Sequence, residues 1–188
     1  RAVTHPLKLT GQEIPDIFNG TIKKWNDARL TALNPAAKLP AEDILVVHRS
    51  DGSGTTYIFT DYLASVSEEW LKVVGRGNDV KWPTGLGARG NEGVSGQVKH
   101  TPGSIGYTEL TYARQNKLPY AHVQNASGKF VEPTIESITA AAAGAKLPPE
   151  TDYRVSIVNA KGNGAYPISS FTWLLVYREQ ADAAKGKQ

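Results

Sequence analysis

The sequence predicts a single α/β domain. Short apolar or β-branched runs bounded by turn residues alternate with segments of helical spacing. No internal repeat or low-complexity linker interrupts the chain, and 188 residues are enough to bury one core. Strands alternating with helices imply a sheet covered by helices on both faces. Residues 1–188 are expected to form one unit, with 178–188 as a flexible, solvated tail.

The elements follow in order. Thr10 with Glu13 fits a capping box, and Ile14, Ile17 and Phe18 recur at helical spacing until Asn19-Gly20. In TIKKWNDARLTALNP, Asp27 opens a second short helix that must stop before Pro35, because the residue preceding proline is pushed out of the helical region. Ile44 to Val47 is a buried strand, and Ile58, Phe59, Tyr62 and Leu63 share the face of the helix that follows. SEEWLKVVG continues as another helix with Gly75 as its stop. From Gly75 to Gly106 glycine is dense and loops are expected, although NEGVSGQVKH keeps the spacing of a short helix. SIGYTEL, YAHVQN and RVSIVNA are expected as strands, LTYARQN follows the first of them, and EPTIESITAAAAGA is helical with Pro133 early and Gly144 late. Periodicity does not settle SSFTWLLVYREQ.

Composition removes several classes of function. The 21 basic and 18 acidic residues give a formal charge of +3 and are spread along the chain, which is no footprint for nucleic acid. Without cysteine there is neither a disulfide nor a thiolate ligand or nucleophile. No apolar run approaches the roughly 18 residues that span a bilayer, and RAVTHPLKL lacks the layout of a signal peptide. Methionine is absent even at position 1, so the chain is expected to begin after processing or to be cut from a longer one.

The segment HRSDGSGTTYIFTDYLA carries the chemistry. Gly52 and Gly54 permit a sharp turn, and Ser53, Gly54, Thr55 and Thr56 occupy the start of the next helix, where backbone N–H groups lack intrahelical partners. Those N–H groups and the positive end of the helix dipole form a ready anion site. Ser53 and Thr55 add hydroxyl donors, and Arg49 at the strand end supplies a planar fork suited to a tetrahedral oxyanion. Asp51 either orients Arg49 or caps the helix. Against this stands an ordinary N-cap after a strand, with Arg49 solvated.

Other constellations carry less. GLGARG matches G-x-G-x-x-G, but KWPT precedes it where a dinucleotide site needs a buried strand, so a turn-rich loop is expected. P-loop and nucleophile-elbow signatures are missing. His5, His48, His100 and His122 lack metal-ligand spacing and suit surface or capping roles; no metal and no organic cofactor is implied. Trp25, Trp70, Trp82 and Trp173 are expected in or over the core rather than on a stacking surface. No nucleophile-base pair or metal set supports an enzyme acting on phosphate esters.

LTGQEIPDIFNGTIKKWND, VVHRSDGSGTTYIFTDYLA, VKWPTGLGARGNEGVSGQVKHTPGSIGYTELTYA and AYPISSFTWLLVY together resemble the periplasmic phosphate-binding proteins of ABC-type importers, the PstS family, from Leu7 to Tyr177. The resemblance implies a type 2 periplasmic-binding-protein domain: a central mixed sheet with helices on both faces, half of a Venus flytrap that closes on phosphate. It implies phosphate ligands at Arg49, Ser53, Gly54 and Thr55, with Asp51 paired to the arginine. Members of that family are longer, and the hydroxyl loop, serine-rich helix start and proton-accepting aspartate of their first domain have no counterpart here. The chain therefore looks like the second domain alone. Implied partners are inorganic phosphate, the missing first domain and a membrane permease, with a periplasmic or cell-surface lipoprotein location. The alternative is an oligomerising interaction module, since an isolated half would expose apolar surface near the hinge.

Overall fold

The computed structural model describes residues 6–152, 154–174 and 177. Strand β1 (Lys8–Leu9) leads into helix α1 (Glu13–Phe18) through a turn held by Thr10 and Glu13. The Glu13 carboxylate accepts the Thr10 hydroxyl and the Thr10 backbone N–H, the latter at 3.2 Å. The Thr10 hydroxyl in turn accepts from Gln12 N–H at 3.1 Å, so only the reach-back half of the expected capping box forms. Helix α2 (Ala28–Leu33) is capped by Asp27, whose carboxylate accepts the Arg29 N–H, and it ends at Asn34 before Pro35.

The central segment has the predicted strand, turn and helix. Strand β2 (Leu45–Arg49) is followed by helices α3 (Gly54–Val66) and α4 (Glu68–Val73), and Gly75 at φ +78° terminates the latter. Strand β3 (Leu86–Ala88), helix α5 (Gly90–His100) and strand β4 (Ser104–Gly106) complete this half. Helix α6 (Leu110–Gln115), strands β5 (His122–Gln124) and β6 (Phe130–Val131), and helix α7 (Ile135–Ala143) follow. Thr134 and Ser137 form a full capping box on α7.

The expected central sheet is divided in two. β3-β2-β4 is wholly parallel, with Val47 opposite both Leu86 and Gly106, while β1-β5-β6 is mixed, parallel across β1 and β5 and antiparallel across β5 and β6. Helix α5 packs across all three strands of the parallel sheet. Val46 of β2 belongs to the core with Phe59, Tyr62 and Leu63 of α3. Side chains alternate across a strand, so the fully buried Val47 lies on the opposite face. The same core takes Leu9 and Val123 from the mixed sheet. At its centre Phe59 stacks on Tyr107 with centroids 4.4 Å apart, Phe18 meets Phe59 edge-on at 4.7 Å, and Trp82 stacks on Tyr107 at 5.6 Å. Burying each such side chain contributes on the order of 1.5–3 kcal/mol.

Several expectations change. RVSIVNA forms no strand: over residues 154–160 the Ser156 hydroxyl takes the Val158 N–H, and Asn159 turns to φ +51°, which breaks extended backbone. The glycine-dense stretch expected as loops contains β3, one edge strand of the parallel sheet. Gly85, at φ +107°, precedes it, and a Cβ there would lie 2.6 Å from the Val46 carbonyl oxygen. SIGYTEL is a strand only over Ser104–Gly106. Residues 169–174 of the ambiguous apolar segment have no regular secondary structure. Trp25 and Trp70 are buried, but Trp173 is half exposed. His48 is half-buried and stacks on Trp82, with ring centroids 4.9 Å apart. His5 and the tail at 178–188 lie outside the described residues.

Candidate functional site

Parallel strands deliver their C-terminal ends to one edge, and helices that follow them begin there. β2 ends at Arg49 beside Ala88, the last residue of β3, so the first turns of α3 and α5 meet at this edge. Such an edge is where open α/β sheets place ligands.

Arg49 is only 9% exposed, and its guanidinium is held as a fork. Nε and Nη2 each donate to one oxygen of Asp51 at 2.7 Å, and Nη1 donates to Asn91 Oδ1 at 3.3 Å. Its backbone N–H donates to the buried Tyr107 hydroxyl at 3.1 Å, which shares a 2.7 Å hydrogen bond with the Thr56 hydroxyl. Burial raises the Tyr107 pKa, which keeps that phenol neutral.

Of the two alternatives for Asp51, the pairing with Arg49 is realised, whereas Ser53 and not Asp51 caps α3. The Asp51 carboxylate orients Arg49, and Oδ1 also accepts the Gly90 N–H of α5 at 3.1 Å. Gly90, at φ +72°, is a position that a side chain would strain. The Arg49 hydrogen bonds first, and the Gly90 N–H second, hold the Asp51 carboxyl well below the usual carboxylate range, so it is ionised at neutral pH. Arg49 is shifted upward by the same hydrogen bonds.

Helix α3 is capped by Ser53, whose Oγ accepts the Thr56 N–H at 3.3 Å and keeps its own hydrogen for a further acceptor. The Gly54 and Thr55 N–H groups have no protein acceptor among the described residues. A Cβ on Gly52 or Gly54 would meet nothing within 4 Å, so open space lies beside both glycines. Arg49, Ser53, Gly54 and Thr55 are thus brought to one mouth, with Asp51 behind the arginine. The mouth opens onto a cleft of about 2230 Å³ whose remaining wall is largely apolar, including the half-buried Leu7, Ile58, Leu118 and Ile168. A cation braced by a carboxylate, free N–H groups and hydroxyl donors at a helix N-terminus suit a small oxyanion. Among the described residues no group of three or more His, Asp or Glu could hold a metal ion.

Sequence reasoning did not find Asn91, Tyr107, Glu109 or the Gly90 N–H. The Glu109 carboxylate accepts from Asn91 Nδ2 at 3.0 Å and lies 3.4 Å from the Thr55 hydroxyl, which donates to it. The available signal was the order of elements: GLGARGNEG repeats the strand, glycine turn and helix start of the RSDGSG segment.

Comparison with known proteins fixes the family. The family model described as a PBP superfamily domain matches residues 2–186. The chain belongs to the PBP superfamily. Among curated relatives in that superfamily, the phosphate-binding protein PstS of Xylella fastidiosa is 49% identical over 181 residues, covering 96% of this chain and 50% of the relative. PstS of Methanocaldococcus jannaschii is 48% identical, covering 93% and 48%. The chain therefore spans about half the length of the curated relatives it matches. Among solved structures, a high affinity periplasmic phosphate-binding protein with phosphate bound, PfluDING, superposes with a TM-score of 0.63 at 20% identity, over 89% of this chain and 51% of that one. This likeness shows the shared PBP fold.

Proposed function

We propose that this chain is the phosphate-holding lobe, resembling domain II, of the substrate-binding component of an ABC-type phosphate importer. The carrying observation is the braced guanidinium of Arg49 together with the Gly54 and Thr55 amides, which have no protein acceptor among the described residues, in a sequence nearly half identical to proteins named phosphate-binding PstS. Arg49 neutralises the anion, Ser53 and Thr55 donate hydroxyl hydrogens, Gly54 donates its N–H, and Asp51 fixes the guanidinium. On this reading the function is transport, with a site made of donors and one cation. Further partners on this reading are the complementary lobe and a membrane permease, and the place of action is outside the cytoplasmic membrane. Among the described residues no helix is long and apolar enough to cross a membrane.

Calorimetric titration of phosphate at low salt, with sulfate as control, tests this. Phosphate binding that weakens by about 100-fold in Arg49→Ala supports the reading, the scale expected for losing charge-assisted hydrogen bonds. Binding unchanged by Arg49→Ala contradicts it. A second reading, an oligomerising interaction module, is favoured by Trp173 and Leu174, 48% and 90% exposed beside the apolar cleft. Light-scattering mass measurement separates a monomer from a homo-oligomer.

A further inference from the structure

The anion donors come from two different elements. Arg49 ends β2, and the Gly54 and Thr55 amides begin α3, with residues 50–53 between them. Packing does not fix that turn, since a Cβ on Gly52 would meet nothing within 4 Å. Its backbone bonds run outward, from the Ser50 N–H to the Ala88 carbonyl at 3.1 Å and from the Ser53 N–H to the Asn78 carbonyl at 2.9 Å. Asp51 and Asn91 brace the guanidinium toward α5. The shortest hydrogen-bonded route from Arg49 to α3 runs through the Tyr107 hydroxyl.

Strand pairing explains why that hydroxyl is there. The Leu45 N–H donates to the Gly103 carbonyl at 3.1 Å, so with a period of two the Leu45, Val47 and Arg49 N–H groups all face β4. The pairing of β2 with β4 ends at Val47 opposite Gly106. One step further, the Arg49 N–H finds the Tyr107 hydroxyl at 3.1 Å in place of a strand carbonyl. A carbonyl only accepts, whereas a hydroxyl can accept and still bond a second hydroxyl, here that of Thr56 at 2.7 Å. The Thr56 N–H in turn donates to Ser53 Oγ at 3.3 Å. Arg49, Tyr107, Thr56 and Ser53 thus form one line from strand end to helix cap, and all four are buried. The Tyr107 ring is held separately, stacked on Phe59 of the same helix at 4.4 Å. The other route, through Asn91 and Glu109, ends in a 3.4 Å bond to the Thr55 hydroxyl at the surface.

We propose that Tyr107 is a positioning residue of the anion site, whose hydroxyl holds the end of β2 and the first turn of α3 at the separation where Arg49 and the Gly54 and Thr55 amides reach one tetrahedral anion. This rests on the phosphate-binding reading and deepens it. Tyr107 acts through Arg49 and Thr56 and touches no anion itself.

Calorimetric titration of phosphate well below the unfolding transition, with amide NMR, tests this in Tyr107→Phe, Thr56→Val, their double variant and Thr56→Ser, with Arg49→Ala as reference. Tyr107→Phe keeps the stacked ring and removes only the hydroxyl. It is expected to weaken phosphate binding about five-fold, the scale of one buried hydrogen bond, and to move the Gly54 and Thr55 amide resonances before phosphate is added. Thr56→Val is expected to do the same, and the double variant no more than either alone, because one tie is then broken twice. Thr56→Ser keeps a hydroxyl and should bind as the parent does. If Tyr107→Phe does not fold, Thr56→Val against Thr56→Ser carries the same comparison. A merely structural hydroxyl would lower the urea midpoint but leave the affinity of the folded chain within two-fold, which overturns the inference. Losses that add in the double variant overturn it as well. If Arg49→Ala abolishes phosphate binding while Tyr107→Phe and Thr56→Val leave it intact, only this inference fails. If the unsubstituted chain binds no phosphate, the underlying reading fails and this falls with it.

Discussion

The two sheets of this protein are organised by different means. The parallel sheet is built from neighbours in sequence: β2, the Ser53 cap and α3 form one continuous stretch, and the adjacent β3, Gly90 and α5 repeat the order. The mixed sheet has strands of two or three residues, and single asparagines bind it to distant backbone. Asn34 accepts the Lys8 N–H at 2.7 Å and donates to the Lys8 carbonyl at 2.9 Å, fixing β1 to the end of α2. Asn125, after β5, donates to the carbonyls of Gly162, Asn163 and Ala165 and accepts the N–H groups of Ser127 and Lys129. Where local signals suffice, the edge is free to carry chemistry. Where they do not, buried amides supply the order, and removing one leaves several backbone groups unpaired.

The sharpest test of this contrast is Asn125→Ala. It should cost about 3 kcal/mol in urea unfolding, because the buried amide serves five backbone groups. Phosphate affinity measured well below the unfolding transition should stay within two-fold of the parent. A large loss of affinity would show the two regions to be one cooperative unit. Gly85→Ala attacks the other sheet, where a Cβ would meet the Val46 carbonyl oxygen at 2.6 Å on backbone at φ +107°. It should cost about 2 kcal/mol by the same measurement and should weaken phosphate binding, since β3 leads to the Gly90 that braces Asp51.

Smaller effects probe buried polar groups. The Tyr62 hydroxyl on α3 has no hydrogen-bond partner among the described residues, and burial raises its pKa. Tyr62→Phe should leave stability unchanged or raise it by up to about 1 kcal/mol. Asp51→Asn is the mildest for stability and concerns pH. The carboxyl of Asp51 is depressed in the folded state, so its contribution is present above the ordinary carboxylate range and is lost only as pH falls through its lower folded value. The variant should therefore be slightly less stable near neutral pH and should lose less of its stability on acidification. Denaturant midpoints at both pH values check this.

The same division explains what the sequence made legible. Arg49, Ser53, Gly54 and Thr55 lie within seven residues, and cap preference and turn glycines announce them without knowledge of the rest of the fold. Asn91 and Glu109 reach the site from 42 and 60 positions beyond Arg49, through strand pairing that no local pattern encodes. β3 was hidden because Leu86-Gly87-Ala88 has neither alternation nor β-branched side chains; its strand character comes from pairing with β2. RVSIVNA misled in the opposite way, since its branched residues suit a strand while the Ser156 hydroxyl and the left-handed Asn159 prevent one. The division of the sheet was equally invisible, because composition does not say which strands meet.

The central claim is that the parallel edge, and not the mixed sheet, holds a tetrahedral anion at the start of α3. Backbone amide NMR of the nitrogen-15-labelled chain during a phosphate titration tests it most directly. The account predicts saturable shifts concentrated at Ser53, Gly54 and Thr55 and at the Arg49 side chain, with little change at His122–Gln124 or Phe130–Val131. Shifts centred on the mixed sheet, or none at Gly54 and Thr55 while calorimetry records binding, would contradict it.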